Sequence, residues 1–366
     1  MPCLVRFTLA ALVSLFPGVS TAQDGDAAET GSVIFIHPDG ASAATWAATR
    51  ALYKGPDGDL HWDMLPAIAL YRGHMADSLT ATSNGGATTH AFGVKVASDA
   101  YGRSAGGERG GDLVDANGHS TSIASQAIRV GIPVGLVQSG IAPEPGTGCF
   151  LAVSTTRRDY EGIAAQLVES GAEVLLSGGE RYFLPEGIEG VHGPGSRTDG
   201  RNLIEEARQA GYTVVRTRDE LLSLSSGTER VLGLFARSST FNAKPEETLK
   251  QEGLDEFDPD APAIAEMTEV AIRVLSRNGQ DFLLIVEEEG TDNFGNKNNA
   301  SGVLEAARRA DDAIGVARRH LESDPDTLII TTADSDGGGL RMVGIPMPPG
   351  ATVPDTLPER DANGAP

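Results

Sequence analysis

Short apolar runs alternate with stretches of helical periodicity along this chain. Runs of strand length occur at Ser32–His37, Gly131–Gln138, Ala172–Ser177, Arg230–Ala236, Phe282–Glu287 and Thr327–Thr332. Arg201–Ala210, Ala261–Arg277 and Gly302–Leu321 read as amphipathic helices. In the last, Leu304, Ala307, Ala310, Ile314 and Ala317 recur at helical spacing. Strands alternating with helices predict an α/β fold, with a mostly parallel central sheet flanked by helices on both faces. No internal repeat is present.

The ends of the chain read differently from its body. Met1–Ala22 has a charged start at Arg6, an apolar stretch from Phe7 to Phe16, and small residues at Ser20 and Ala22. This is the pattern of an export signal, and the apolar stretch is too short to span a bilayer. Residues 23–345 are expected to form one α/β catalytic domain. Residues 346–366, rich in Pro, Gly and acids, read as an unpacked tail. The expected location is periplasmic or extracellular, with no stable membrane span. Cys3 leaves with the signal, so Cys149 cannot form an intrachain disulfide and reads as a packed thiol.

Charge narrows the function classes. Among 366 residues there are 29 Lys and Arg against 51 Asp and Glu, a net charge of −22. Such a surface repels nucleic acid. The acids either solvate the surface or bind metal, and their positions decide which.

Three predicted strands end in acid-rich turns: His37-Pro38-Asp39-Gly40, Glu287-Glu288-Glu289-Gly290-Thr291-Asp292, and Thr332-Ala333-Asp334-Ser335-Asp336. A single aspartate after a strand commonly caps a helix. Three such ends in one sheet converge on its carboxyl edge, where ligands bind in open α/β sheets. Carboxylates gathered there repel and raise one another's pKa unless a cation sits among them, and oxygen donors suit hard divalent cations. A fourth segment, Ala81-Thr82-Ser83-Asn84-Gly85-Gly86-Ala87-Thr88, places a hydroxyl before small residues at a helix start. Such a start can approach an anion closely, or it can simply close a loop. Ser83 there is a candidate nucleophile.

Taken in chain order, and with Gly93-Val94-Lys95 at matching spacing, these four segments resemble the alkaline phosphatase family over roughly Gly31 to Gly344. The resemblance implies a metal-dependent phosphomonoesterase acting on small-molecule phosphate esters through a phosphoserine at Ser83. It implies Asp39 as a carboxylate bridging two metals, Glu287 on one side, and Asp292 and Asp334 on the other. Phe150, Arg157, Tyr160 and Ile163 resemble the segment carrying the family's phosphate-binding arginine. That register makes Arg157 the arginine, with Arg158 as its alternative. It also puts Glu144 and Gly146 where the family has Asp-x-Thr, with Glu144 a candidate metal ligand. A homodimer is a further implication.

The departures are chemical. Thr82 stands where the family has an aspartate, with Asp77-Ser78 a rival placement of the nucleophile. Asn296 and Ser335 stand where it has metal-binding histidines, and both are retained as candidate ligands. The chain also ends before the family's last zinc-binding histidine, which leaves a shortened sequence or a differently built site. Exchanging imidazoles for oxygen donors shifts preference from the family's Zn²⁺ toward Mg²⁺, Mn²⁺ or Ca²⁺. His37 and His90 are either packed histidines or replacement nitrogen ligands. Glu288 and Glu289 read as part of a solvated rim, since only Glu287 matches a family ligand. Asn293, Asn296, Asn298 and Asn299 either orient substrate or cap a helix beginning near Ala300. Two other readings remain: a related phosphodiesterase or sulfatase, and an inactive exported protein that binds metal or phosphate.

Overall fold

A computed structural model describes residues 31–342, apart from Ala116, together with Gly350. The export segment 1–22 lies outside the described residues, as does the tail 346–366 apart from Gly350.

Seven strands form one sheet: β1 (Val33–Pro38), β2 (Val134–Ile141), β3 (Val174–Gly178), β4 (Thr213–Val215), β5 (Val231–Leu234), β6 (Leu283–Glu288) and β7 (Leu328–Thr331). Their spatial order is β4-β5-β3-β2-β6-β1-β7, and every neighbouring pair is parallel. Six were legible as apolar runs. The exception, β4, has only three residues, too few for a period to register. β2 begins three residues later than expected. Gly131 takes a left-handed φ of 84°, and Pro133 has no N–H to offer a ladder.

Side chains alternate across the sheet, so each strand feeds two cores. Leu283 and Ile285 of β6 pack with Ala87, Ala91 and Ile163 in one layer. Leu284 and Val286 pack with Met267, Ala271 and Ile314 in the other. Helices therefore cover both faces, and each fully buried aliphatic side chain contributes ~1.5–3 kcal/mol of transfer free energy. The long helix spans Ala300–Ser323, and the Asn299 side chain caps it by accepting from Gly302 N at 2.7 Å. Of the four asparagines before it, Asn299 therefore serves as the cap.

Parallel register brings chemistry to the carboxyl edge. β1 pairs with β6 so that His37 lies beside Glu287, and β2 pairs with β6 so that Gln138 lies on its other side. All three continue the strand face occupied by Phe35, Leu136 and Ile285, the face covered by helix Ser83–Phe92.

Candidate metal centre

Three carboxylates converge beyond these strand ends. One oxygen each from Asp39, Glu287 and Glu289 lies within 4.8 Å of the others. Their residues are 0 %, 0 % and 3 % exposed, so water does not separate the charges. Each carboxylate has one oxygen held by a neutral donor. Ser335 Oγ donates to Asp39 Oδ1 at 2.9 Å, Gln138 Nε2 donates to Glu287 Oε2, and Asn293 Nδ2 donates to Glu289 Oε1 at 2.7 Å. The second oxygen of each, Asp39 Oδ2, Glu287 Oε1 and Glu289 Oε2, is buried without a hydrogen-bond partner.

Burial followed by mutual repulsion governs the protonation of this group. Asp39 is pushed well above the ordinary carboxylate range by burial and by the charge of Asp334. Glu289 is pushed up by burial and by Glu144, Asp39 and Glu287. Glu287 rises to about 8, chiefly through burial. Oxygen-only donors with unpartnered buried atoms suit a hard divalent cation, which would remove the repulsion that raises these values.

A second set adjoins the first. His37, Glu287 and Asp334 also present one ligand atom each within 4.8 Å, and all three are buried. His37 Nε2 stands 3.3 Å from Asp334 Oδ2. Asp334, at the end of β7, rises to about 6 through burial. His90 stacks edge-on to His37 at 5.5 Å, and burial lowers it to about 3, so it stays neutral.

The serine-bearing segment forms helix Ser83–Phe92, with Ser83 half-buried in its first turn. Thr82, where the family has an aspartate, is the N-cap and accepts from Gly85 N at 3.2 Å. Gly86 docks this helix start against the end of β7: a Cβ there would lie 2.2 Å from Asp334 O. The small residues are thus required by close approach. Ser78, the rival, lies in a loop where its Oγ pairs with Thr80 Oγ1 at 3.2 Å, and neighbouring Asp77 accepts from Ser98 N.

Arg157 faces the acids. Its Nη2 donates to Glu144 Oε2 at 2.9 Å, and the guanidinium remains partly exposed. Burial opposes its charge, but Glu144 and Glu289 outweigh that and hold it protonated. Burial raises Glu144 despite this partner. Arg158 points elsewhere and lines a separate surface cleft with Tyr160, Arg181 and Thr198.

Asp292 and Asn296 occupy the first turn after β6 and the cap that follows it. Asn296 Nδ2 donates to Asp292 Oδ2 at 2.6 Å, and Asp292 rises to about 7 through burial and the charge of Asp39. Asp292 also packs against the backbones of Gly40 and Gly337.

The solvated rim expected at Glu288 and Glu289 is not what forms: both side chains turn inward. Glu288 is 1 % exposed and Glu289 3 %. Period-two alternation turns Glu288 to the opposite sheet face, where it accepts from Ser139 Oγ at 2.7 Å and Gly290 N at 2.9 Å. Glu289, past the strand end, returns to the side of Glu287. Gln138 carries no sequence signal, because an amide at a strand end forms no motif; the β2–β6 register brings it to Glu287. Two glycines make room for the acids. A Cβ on Gly146 would lie 1.8 Å from Glu287 Oε1, and one on Gly140 would lie 2.9 Å from Glu289 Cγ.

Buried acids, a small-residue helix start and an arginine, all at the carboxyl edge of a parallel sheet, define an α/β protein with a polyanionic centre. The chain belongs to the alkaline phosphatase family, whose model matches residues 31–363. It is 31 % identical over 343 residues to a membrane-bound alkaline phosphatase of Bombyx mori, covering 83 % of this chain and 60 % of that protein. It is also 31 % identical over 337 residues to the tissue-nonspecific isozyme of Gallus gallus, covering 83 % of this chain and 63 % of that protein. Among solved structures, the cold-active alkaline phosphatase of Shewanella sp. superposes with a TM-score of 0.67 at 25 % identity, over 84 % of this chain and 69 % of that one. The Thermus thermophilus alkaline phosphatase superposes with the same score at 26 % identity, over 83 % of this chain and 59 % of that one. The chain spans about three fifths of the length of these two curated relatives.

Proposed function

We propose that the protein is an exported, metal-dependent phosphomonoesterase that hydrolyses small phosphate esters through a phosphoserine at Ser83. The observation that carries this reading is the set of buried, unpartnered oxygens on Asp39, Glu287 and Glu289, with the Ser83 helix start docked through Gly86 against neighbouring Asp334. Asp39 and Glu287 would hold one cation, and Asp39 with Asp334 and Ser335 a second, beside Asp292 and Asn296. When bound, such cations neutralise phosphate oxygens and stabilise the leaving alkoxide. Mg²⁺ is the favoured ion at the Asp39–Glu287 end, because the donors there are carboxylates, and Mn²⁺ and Ca²⁺ share that chemistry; beside Asp334, His37 offers one nitrogen among oxygens.

Ser83 acts as nucleophile from the first turn of its helix, where free backbone N–H groups favour an incoming anion. Arg157 holds the phosphate with two N–H groups, and Glu144 fixes its guanidinium in place. Thr82 and Gly86 set the position of Ser83 by capping and by close packing. The Met1–Ala22 pattern supports export, and no helix among the described residues is long and apolar enough to cross a membrane.

Turnover of an aryl phosphate by chelator-stripped protein, with and without added Mg²⁺, tests the reading. Metal-dependent release of phosphate from the monoester, exceeding that from the diester and the sulfate ester, is expected. No turnover with any divalent ion would leave a binding protein; faster diester or sulfate ester cleavage would change the substrate class.

A further inference from the structure

Glu289 stands where the family resemblance assigns no function, while Glu144 stands where it expects a ligand. The geometry reverses these two. Glu144 Oε2 accepts from Arg157 Nη2 at 2.9 Å, and the position two residues on is Gly146, which offers no side chain. The room a side chain at 146 would need is filled by Glu287 Oε1. Glu289 is 3 % exposed, within 4.8 Å of both Asp39 and Glu287, with Oε2 lacking any partner. Asn293 holds its other oxygen, the kind of support that fixes a ligating carboxylate. Gly140 clears the space its side chain crosses.

We infer that Glu289 is a direct ligand of the cation held by Asp39 and Glu287, completing a three-carboxylate site, while Glu144 serves Arg157 instead. The inference rests on the metal-dependent reading above. Three anionic oxygen donors favour a hard divalent cation over zinc, and the remaining positions are left for water, as Mg²⁺ prefers.

Calorimetric titration of the chelator-stripped full chain with MgCl₂, repeated with MnCl₂, tests this without relying on turnover. Glu289→Gln should weaken the site at least about tenfold or lower the stoichiometry by one ion, while Glu144→Gln should weaken it less. Asp39→Asn separates the two levels of the claim. If Asp39→Asn binds like the parent, the metal centre itself is misread. If Asp39→Asn loses the ion but Glu289→Gln keeps parental affinity, this inference alone is overturned; weakening by Glu144→Gln in place of Glu289→Gln overturns it as well. Thermal melts establish that the variants fold. Should Glu289→Gln not fold, Glu289→Asp, which keeps the charge on a shorter arm, should show the same loss, and parental affinity there overturns the assignment.

Discussion

Ser335 Oγ donates a 2.9 Å hydrogen bond to Asp39 Oδ1, so the residue after Asp334 acts on the carboxylate of a different strand. A hydroxyl at this place orients Asp39 and adds an oxygen to its surroundings, where an imidazole would add a nitrogen of the kind zinc favours. With Asn296 bonded to Asp292 in the same manner, both sides of the centre are oxygen-rich. Chelated protein should therefore regain more activity with Mg²⁺, Mn²⁺ or Ca²⁺ than with Zn²⁺. Ser335→His should move the preference toward Zn²⁺. Metal analysis of the purified protein gives an independent reading, and stoichiometric zinc would implicate His37 as a nitrogen ligand.

Stability without metal should fall as pH rises. Asp334, Asp292 and Glu287 are raised to about 6, 7 and 8, against ~4 in the unfolded chain. The folded protein then keeps protons that the unfolded chain has released. Its stability is full below the unfolded value, falls as pH climbs above ~4, and is lost by the time pH passes the folded values of about 6 to 8. Melting temperatures of the stripped protein should drop across this window, and a saturating divalent ion should flatten the curve. A stripped protein whose melting temperature rises from pH 5 to pH 8 would contradict this.

Asp39→Asn keeps the shape of the side chain and removes its charge. Activity should fall on the order of 10²-fold or more, because electrostatic stabilisation is the largest catalytic contribution. The stripped variant should melt at or above the parent temperature, since the amide replaces a buried acid whose ionised form is disfavoured by burial and by Asp334. Steady-state rates with paired melts decide this; unchanged activity would remove Asp39 from the centre.

Ser83→Ala should abolish a phosphoenzyme trapped at low pH, whereas Ser78→Ala should retain it. Peptide mapping of labelled phosphate reports which hydroxyl carries the group. Label on Ser78 would move the nucleophile out of the helix start and into the loop.

Arg157→Ala should raise KM about tenfold or more, with a smaller change in kcat, by removing a bidentate phosphate contact. It also strands Glu144 as a half-buried acid without its cation, so a modest fall in melting temperature should accompany it. Arg158→Ala, which alters a different cleft, should leave KM near the parent value. Equal effects from both would place the phosphate elsewhere.

The sheet was legible because its strands are short apolar runs with acids at their ends, a pattern that survives without tertiary knowledge. Asp39, Glu287, Asp292 and Asp334 were legible as candidates for the same reason: each lies at or just past the carboxyl end of a strand. Glu289 was hidden because three consecutive glutamates look like a solvated face. Their division between two sheet faces and a strand end depends on where β6 stops. Gln138 and the Ser335–Asp39 bond were equally invisible, since each joins strands far apart in sequence through parallel register. β4 escaped because three residues carry no period.

The two glycines beside the acids have a consequence for inheritance. Gly146 is the hollow that Glu287 fills, and Gly140 is the hollow that Glu289 crosses. Each pair behaves as a lock and its bolt: a side chain gained at the glycine evicts the acid, and an acid lost leaves a buried void. A lineage changing one partner alone passes through a clash or a hole, so the pairs should be exchanged together or not at all. Across relatives, a residue larger than glycine at the place of Gly140 should travel with a short side chain at the place of Glu289. A graft of this centre onto another chain succeeds only when all four positions move as a set.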